Sequence, residues 1–363
     1  MEEVLNVTAE LQNTFLSLVR LGVGHLVSDR LEYINWDAIE GVAARQGLSA
    51  IVVDGVEHLP EGKRPPKEVL LQWIGNTLQS YEYRFELYRR VISEMAAWYN
   101  SHGLKMMVLK GYACSLDWPK PEHRPCGDID IWLFGKQKGA DSLMAKELGV
   151  KVDNSHHHHT VFNWRDFSVE NHYDFVNIYA RKSSAELEKI FKELGQDYSY
   201  TVEVNGEKVY LPSPNLHALF MIRHMLSHFA AAEITLRQVL DWAFFVEKHT
   251  KEVDWDWLLP LLEQYHMREF FNCINAVCVD DMGFSSSIFP YVQYLPAMKE
   301  RVLSDIITPE FTAAEPKGFL PRVIYKYRRW KANGWKHKLC YKENMWSAFW
   351  SGVWNHLLKP ASI

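Results

Sequence analysis

Two aspartates stand two residues apart in a short apolar segment. Asp128 and Asp130 belong to the run 127–134, which otherwise contains glycine, isoleucine, tryptophan, leucine and phenylalanine. Because side chains alternate between the faces of a strand, both carboxylates should share one face, with Ile129 and Ile131 in the core. Like charges at this spacing repel each other, so the pattern predicts a cation between them. A divalent metal such as Mg²⁺ is favoured, since it binds carboxylate oxygens and shares its ligands with substrate phosphates.

The elements predicted around these aspartates form a small α/β unit. Apolar residues at 106–109 predict a buried strand that ends at Lys110. Two further strands are predicted on either side of a turn at 164–167, and Glu170 lies on the second of them. The Asn-Gly pair at 205–206 predicts a tight type I′ hairpin at the end of the unit.

Helical patterns occupy the chain on both sides of this unit. Apolar residues recur with helical spacing at 8–23, 36–46, 69–99, 215–229, 236–248 and 257–283. The predicted organisation is an N-terminal helical region (1–100), an α/β core (101–212), a C-terminal helical bundle (213–316) and a basic, aromatic helical tail (317–363) whose last helix covers 344–358.

The composition is that of an ordinary globular protein. Of the 363 residues 47% are hydrophobic and 23% charged, and the net charge of −5 creates no overall field that attracts nucleic acid. The five cysteines form no CxxC pair, which favours free thiols in a reducing compartment over a disulfide framework. Neither a signal peptide nor an apolar run long enough to span a membrane is visible, so the cytoplasm is the expected location.

The segments around the two aspartates resemble a known family. Lys110-Gly111, then Asp117-Trp118-Pro119 with Arg124, then Gly127-Asp128-Ile129-Asp130 is similar to the signature of an uncharacterised nucleotidyltransferase family within the polymerase-beta-like nucleotidyltransferase superfamily. Further segments similar to that family follow in its order, at 36–48, 158–159, 169–172, 236–241 and 253–255. The resemblance covers roughly residues 10–260.

The resemblance implies both a fold and a reaction. The fold would be α+β, with a small mixed β-sheet as the nucleotidyltransferase core, flanked by N-terminal and C-terminal helical regions. Asp128, Asp130 and Glu170 would be the catalytic carboxylates and would hold two Mg²⁺ ions. The ions would present an NTP for transfer of its NMP group to a hydroxyl.

Three residues are candidates for binding the triphosphate. The resemblance places Gly111 where the backbone approaches the phosphates. The Lys110 ammonium could bind a phosphate as a point charge, and the Arg124 guanidinium could bind one through two parallel hydrogen bonds. The alternatives are an ordinary surface position for Lys110 and an ion pair between Arg124 and one of the two aspartates. In the superfamily a serine follows the glycine, whereas this chain has Tyr112 there.

Histidines and charged pairs occur at other suggestive spacings. The histidine run 156–159 is predicted to supply polar lining for the cleft rather than a metal site. His224 and His228 stand at i, i+4 on a predicted helix, but without a plausible third ligand nearby we expect packing or hydrogen bonding. The same spacing favours an ion pair between Arg237 and Asp241 on the next helix.

The predicted function is therefore Mg²⁺-dependent nucleotidyl transfer from an NTP to a hydroxyl of a small molecule, a protein or an RNA end. A non-catalytic nucleotide- or partner-binding module with the same fold, and a phosphotransferase, are the alternatives. The basic segment 317–342 could bind nucleic acid or rest on anionic lipid, but covering the helical bundle with its side-chain stems is favoured.

Overall fold

The computed structural model describes residues 7–27, 34–179, 181–290 and 293–343, and the helix predicted at 344–358 lies outside them. Within these residues a helical N-terminal part is followed by a six-stranded mixed sheet with interspersed helices, and then by a helical C-terminal part. This order confirms the α+β fold. The division of the chain into four regions stays a prediction.

The N-terminal helices begin and end at signals present in the sequence. They are α1 (Ala9–Gly22), α2 (Trp36–Gln46), α3 (Ser49–Glu57), α4 (Lys67–Thr77) and α5 (Arg84–Ser101). The Thr8 hydroxyl caps α1 by accepting a hydrogen bond from the Leu11 N–H at 3.2 Å, and Gly47 ends α2 with a φ of 66°. The single helix predicted over 69–99 is interrupted by a π-helical turn, Leu78–Tyr83. Its wider turn shifts the buried face, so that α4 packs on α3 and α5 packs on the sheet.

One mixed sheet contains every strand of the described residues. The strands are β1 (Met107–Val108), β2 (Ile129–Trp132), β3 (His159–Trp164), β4 (Phe167–His172), β5 (Thr201–Val204) and β6 (Glu207–Tyr210). Their order is β3-β4-β2-β1-β6-β5, in which β2 pairs with β4 in parallel and with β1 in antiparallel orientation. Both predicted hairpins are confirmed, and Asn205 and Gly206 have the positive φ angles, 50° and 87°, that a type I′ turn requires.

The remaining helices cover the sheet and form the C-terminal bundle. They are α6 (Lys110–Ser115), α7 (Gln137–Leu148), α8 (Lys182–Leu194), α9 (Pro214–Ala231), α10 (Leu236–His249), α11 (Trp255–Gln264), α12 (Arg268–Ala276), α13 (Pro296–Ile307), α14 (Phe319–Ala332) and α15 (Gly334–Cys340). A capping box starts α10, in which the Gln238 side chain accepts a hydrogen bond from the Thr235 N–H at 2.8 Å. This cap fixes where α10 begins, directly beside the cleft described below.

The sheet separates two hydrophobic cores. Ile129 and Ile131 of β2 lie in the core that α5 shares with the sheet, together with Tyr88. Trp132 of the same strand lies in the larger core that includes α9 and α10. Because Asp130 has the same parity as Trp132, its side chain belongs to the helical-bundle side. The predicted burial of both isoleucines is confirmed.

The basic segment after residue 316 is partly built into the bundle. In α15, Lys336 is fully buried, with its Nζ 2.5 Å from Asp305 Oδ2 and 2.9 Å from the Ala232 carbonyl oxygen. In α14, by contrast, Leu320 and Ile324 are exposed. The predicted covering of the bundle therefore holds for α15. No helix within the described ranges is long and apolar enough to cross a membrane.

Candidate active site

A cleft of about 610 Å³ lies between the sheet and the helical bundle. Its wall includes every site residue predicted from the sequence: Lys110, Gly111, Arg124, Asp128, Asp130 and Glu170. The opposite wall comes from α2, α9, α10 and the loop that joins α9 to α10. Residues far apart in the chain are thus brought to one cavity.

Two carboxylates stand side by side on neighbouring strands. Asp130 of β2 is in register with Glu170 of β4, because these strands run parallel. The Asp130 side chain is 4% exposed and that of Glu170 is 24% exposed. Asp128 precedes β2 and is exposed. The in-register carboxylate pair therefore spans two strands, with Asp128 further along the same wall.

Lys110 and His172 both contact the buried carboxylate of Asp130. The Lys110 Nζ lies 2.6 Å, and the His172 Nε2 lies 2.9 Å, from Asp130 Oδ1. Burial opposes ionisation of Asp130, but the Lys110 charge and the His172 hydrogen bond outweigh it and hold the pKa well below its usual range. Lys110 begins α6 in the left-handed region, with a φ of 37°. The cation found beside Asp130 is this ammonium group.

Glu170 is less tightly held than Asp130. Burial and the negative charge of Asp130 raise the pKa of Glu170. Its Oε2 lies 3.6 Å from His172 Nε2 and its Oε1 lies 3.7 Å from His159 Nε2, both beyond hydrogen-bond distance. The Glu170 carboxylate is therefore available to accept a cation or a proton.

A possible metal-ligand set includes a histidine that the sequence did not single out. Among the described residues, Asp130, Glu170 and His172 each offer one ligand atom within 4.8 Å of the others. Asp128 is not part of this group. His172 stands two residues after Glu170 on β4 and so shares its face, which is the signal that could have identified it.

Gly111 lines the cleft and also packs closely against Tyr88 of α5. A Cβ at this position would lie 2.5 Å from the Tyr88 Oη, which donates a hydrogen bond to the Asp128 carbonyl at 2.8 Å. The missing side chain thus lets α5 hold the start of β2 in place. Tyr112, at the superfamily's serine position, is 3% exposed and stacks on Phe85. Its ring therefore belongs to the core.

Arg124 is bound to α10 through a bidentate ion pair. Its Nε and Nη2 donate to Oδ1 and Oδ2 of Asp241 at 2.7 and 2.9 Å, and the Trp118 indole donates to Oδ1 at 2.8 Å. The expected pairing of Arg124 with one of the two cleft aspartates is therefore wrong, and so is the Arg237–Asp241 pair. Asp241 contacts the segment before β2 instead of its own helix. A phosphate-binding role for Arg124 stays a prediction.

Two arginines of the opposite wall form no ion pair within the part of the chain that the structure describes. They are Arg45 of α2, which is exposed, and Arg237 of α10. Burial and the nearby charge of Arg124 lower the pKa of Arg237. The charges of Asp241 and Asp128 oppose this shift without reversing it, so an anionic ligand would stabilise the buried guanidinium further.

His224 and His228 line the same cleft from α9. Their ring centroids lie 4.3 Å apart, so the expected packing is present, but their exposure to the cleft was not anticipated. Burial and the charge of Lys110 hold the pKa of His224 well below its usual range, and the imidazole is therefore neutral.

The histidine run is placed differently from its prediction. None of residues 156–159 contributes to the wall of the cleft, so the expected polar lining is wrong. His158 and His159 instead approach His172, with one ligand nitrogen of each of the three within 4.8 Å of the others. Burial and the neighbouring His172 lower the pKa of His158 to about 2 and that of His159 to about 3.

Comparison with known proteins identifies the family of the chain. Residues 32–282 match the model of a family described as uncharacterised nucleotidyltransferase. The chain belongs to this family. Among solved structures it is similar to an antigenic nucleotidyltransferase-like protein from Paracoccidioides brasiliensis, with 15% identity and a TM-score of 0.35 over 55% of this chain and 95% of that one. No curated protein sequence matches it. The in-register carboxylates thus belong to a chain of a nucleotidyltransferase family.

Proposed function

We propose that this protein is a Mg²⁺-dependent nucleotidyltransferase that moves an NMP group from an NTP to a hydroxyl. The observation that carries the proposal is the in-register pair of Asp130 and Glu170 on the wall of a cleft of about 610 Å³. A cleft of this size is in the range that holds a nucleotide-sized ligand. Family membership supports an NTP as the donor.

The residues present fit a bound divalent ion. Asp130 and Glu170 offer oxygen ligands, with ligand atoms that lie within 4.8 Å of each other and of His172. Asp128 lines the same wall and would add a third carboxylate. When bound, Mg²⁺ would neutralise phosphate charge and lower the pKa of the attacking hydroxyl. These three carboxylates would hold it, and His172 would orient Asp130 through its hydrogen bond.

Lys110 connects the carboxylates to the phosphate side of the cleft. Its ammonium occupies Asp130 Oδ1 at 2.6 Å and neutralises that carboxylate in the structure described here. Lys110 must leave this oxygen before Asp130 can use it as a ligand, and the released ammonium would then contact a phosphate. Gly111 follows Lys110 in the cleft wall.

Arg237 and Arg45 are the cations that we assign to the triphosphate. Both line the cleft, and neither forms an ion pair within the described residues. Arg124 would act indirectly, because its fork is already used by Asp241. On this assignment the anion is held from α2 and α10, opposite the carboxylates.

Two observations favour a non-catalytic nucleotide-binding module as the second candidate. The Lys110 ammonium already satisfies Asp130, and Tyr112 removes the hydroxyl that the superfamily places after the glycine. Such a module would bind an NTP without turnover. A phosphotransferase would differ from both, because it would release NDP.

The test is release of pyrophosphate from each common NTP with Mg²⁺ and cell extract as the source of acceptors. Asp130→Asn is expected to lower the rate at least about 100-fold, since it removes a metal-ligand charge. Asp166→Asn, on the exposed β3–β4 turn, is the matched control and should retain the parent rate. Equal rates in the parent and Asp130→Asn would overturn the proposal. NDP in place of pyrophosphate would identify a phosphotransferase, and binding without either product would identify the module.

A further inference from the structure

Three imidazoles meet at the end of the β3–β4 hairpin, next to the carboxylate pair. His158 directly precedes β3, and His159, the first residue of β3, is in register with His172, the last residue of β4. The His158 and His159 ring centroids lie 4.4 Å apart, and they lie 5.7 and 5.3 Å from the His172 centroid. One ligand nitrogen of each lies within 4.8 Å of the other two.

The cluster contains buried nitrogens that no protein group satisfies. The Nδ1 atoms of His158 and His159 are buried without a hydrogen-bond partner. A buried polar atom destabilises the fold when it is left unpaired. His159 is 6% exposed and His172 is 1% exposed. A bound cation would use these lone pairs and remove the cost.

The third histidine already has the partner that ligand histidines typically have. His172 Nε2 bonds the Asp130 carboxylate at 2.9 Å. Histidines that bind a metal usually donate their other N–H to a carboxylate or a carbonyl, which fixes the tautomer and the ring orientation. The nitrogen left for a metal is His172 Nδ1, which lies 3.3 Å from the Asp174 carbonyl oxygen, and a bound ion would replace that contact.

The charges around the cluster also favour a divalent cation. Two carboxylates face it: Asp130, through His172, and Glu170, whose oxygens lie 3.7 Å from His159 Nε2 and 3.6 Å from His172 Nε2. Lys110 is the opposing positive charge, and it is paired with Asp130. The carboxylates therefore outnumber the cation next to the imidazoles.

We propose that His158, His159 and His172 form a transition-metal site for Zn²⁺ or a similar ion, beside the carboxylate pair of Asp130 and Glu170. Imidazole nitrogens suit zinc, iron, nickel and copper, whereas Mg²⁺ prefers oxygen ligands. The site is thus chemically distinct from the Mg²⁺ ligands assigned above. Because His172 bonds Asp130, an ion here would fix the carboxylate that borders the cleft.

The test measures Zn²⁺ binding to the full chain without an affinity tag and without nucleotide, by competition with a chromophoric chelator. We expect one equivalent of Zn²⁺, and a Co²⁺-substituted protein with the intense visible absorption of a four-coordinate site. His158→Asn and His159→Gln should each weaken Zn²⁺ binding at least about 100-fold. The matched control is His156→Phe. It removes the nitrogens of a histidine outside the ligand group but keeps an aromatic ring to stack on His159, whose centroid lies 4.7 Å away, and it should change the affinity by less than about threefold.

Two outcomes would overturn the site. If His156→Phe weakened Zn²⁺ binding as much as His158→Asn, the run would bind metal as any histidine-rich segment does. If the folded parent bound no stoichiometric Zn²⁺, the cluster would be a packing feature. His159→Gln serves as a second test should His158→Asn fail to fold. Thermal unfolding of the metal-free proteins identifies such a failure. Since no nucleotide is present, loss of nucleotidyl transfer elsewhere does not bear on the result.

Discussion

The lysine–aspartate pair in the helical bundle and the one at the sheet are built from the same groups. Lys336 Nζ lies 2.5 Å from Asp305, and Lys110 Nζ lies 2.6 Å from Asp130. In the bundle pair neither side chain is more than 1% exposed. The Lys110 side chain, in contrast, is 16% exposed and lines the cleft. The two pairs therefore differ in access rather than in chemistry.

The neighbours of the two pairs differ as well. Lys336 also donates to the Ala232 carbonyl, and Asp305 accepts from the Glu310 N–H at 3.0 Å, so both partners are committed to the bundle. Asp130 instead shares its oxygen between Lys110 and His172 beside a second carboxylate. A sealed ion pair joins elements together, whereas the same pair beside a cleft can exchange a partner for a ligand.

Breaking the fully buried pair, Lys336–Asp305, should give the largest loss of stability. Lys336→Met leaves the Asp305 carboxylate buried without its cation, and the free energy of unfolding should fall by about 3–5 kcal/mol. Urea unfolding followed by tryptophan fluorescence measures this change. The double variant Lys336→Met/Asp305→Asn removes the unpaired charge and should recover most of the loss. A single variant that unfolds like the parent would contradict the comparison.

Breaking the pair beside the cleft, Lys110–Asp130, should cost less stability than breaking the buried pair and should change ligand binding. Lys110→Met leaves Asp130 with His172 and with water from the cleft, so a loss of about 2 kcal/mol is expected. Mg²⁺ affinity, measured by calorimetry, should rise about tenfold because no ammonium competes for Asp130. The control is Lys120→Met, since Lys120 pairs with Asp54 outside the cleft wall. Unchanged or weaker Mg²⁺ binding in Lys110→Met would show that the pair does not exchange.

The position of the Lys110–Asp130 pair depends on the packing of the next residue, Gly111, against Tyr88. Gly111→Ala would place a Cβ 2.5 Å from Tyr88 Oη, and the overpacking should cost about 1–2 kcal/mol of unfolding free energy. Removing that oxygen with Tyr88→Phe should make the alanine tolerable, at the cost of the hydrogen bond to the Asp128 carbonyl. A double-mutant cycle on unfolding free energies measures the coupling, and additive effects would refute the predicted contact.

The smallest effect is expected at a third buried carboxylate, Asp54, which pairs with His123 at 2.6 Å. Burial lowers the pKa of His123, but the Asp54 hydrogen bond and charge outweigh it and raise the pKa overall. Stability from this pair is therefore complete below about pH 6.5 and is lost as pH rises through the raised pKa. The stability difference between the parent and His123→Gln should shrink over that range, and a constant difference would exclude a protonated histidine.

The carboxylate pair was largely predictable, because it rests on local rules. Strand alternation places the Asp130 side chain on the face of β2 that lies opposite Ile129 and Ile131. The family resemblance of the surrounding motif predicted Glu170 as a carboxylate of the same site. The register between them depends on β2 meeting β4, and that contact joins segments separated by β3 and α7. Strand parity alone would have drawn attention to His172.

The long-range ion pairs could not be predicted in the same way. Spacing in the sequence suggested Arg237 as the partner of Asp241, whereas the actual partner, Arg124, lies 117 residues away. That contact depends on how α10 packs against the segment before β2. Lys336 likewise stands in a basic segment that resembles a solvated surface, and only the packing of α15 on α9 buries it. Tertiary packing, which has no local signature, decided both cases.

The two walls of the cleft have different origins in the chain, and this has a consequence for how the protein can evolve. The carboxylates come from β2 and β4, while Met225 and His228 of α9 line the opposite side. Substitutions at these two positions change the shape and polarity that a ligand meets, yet they leave the register of Asp130 and Glu170 untouched. The ligand-facing surface of the cleft can therefore change along one helix while the carboxylate pair keeps its place.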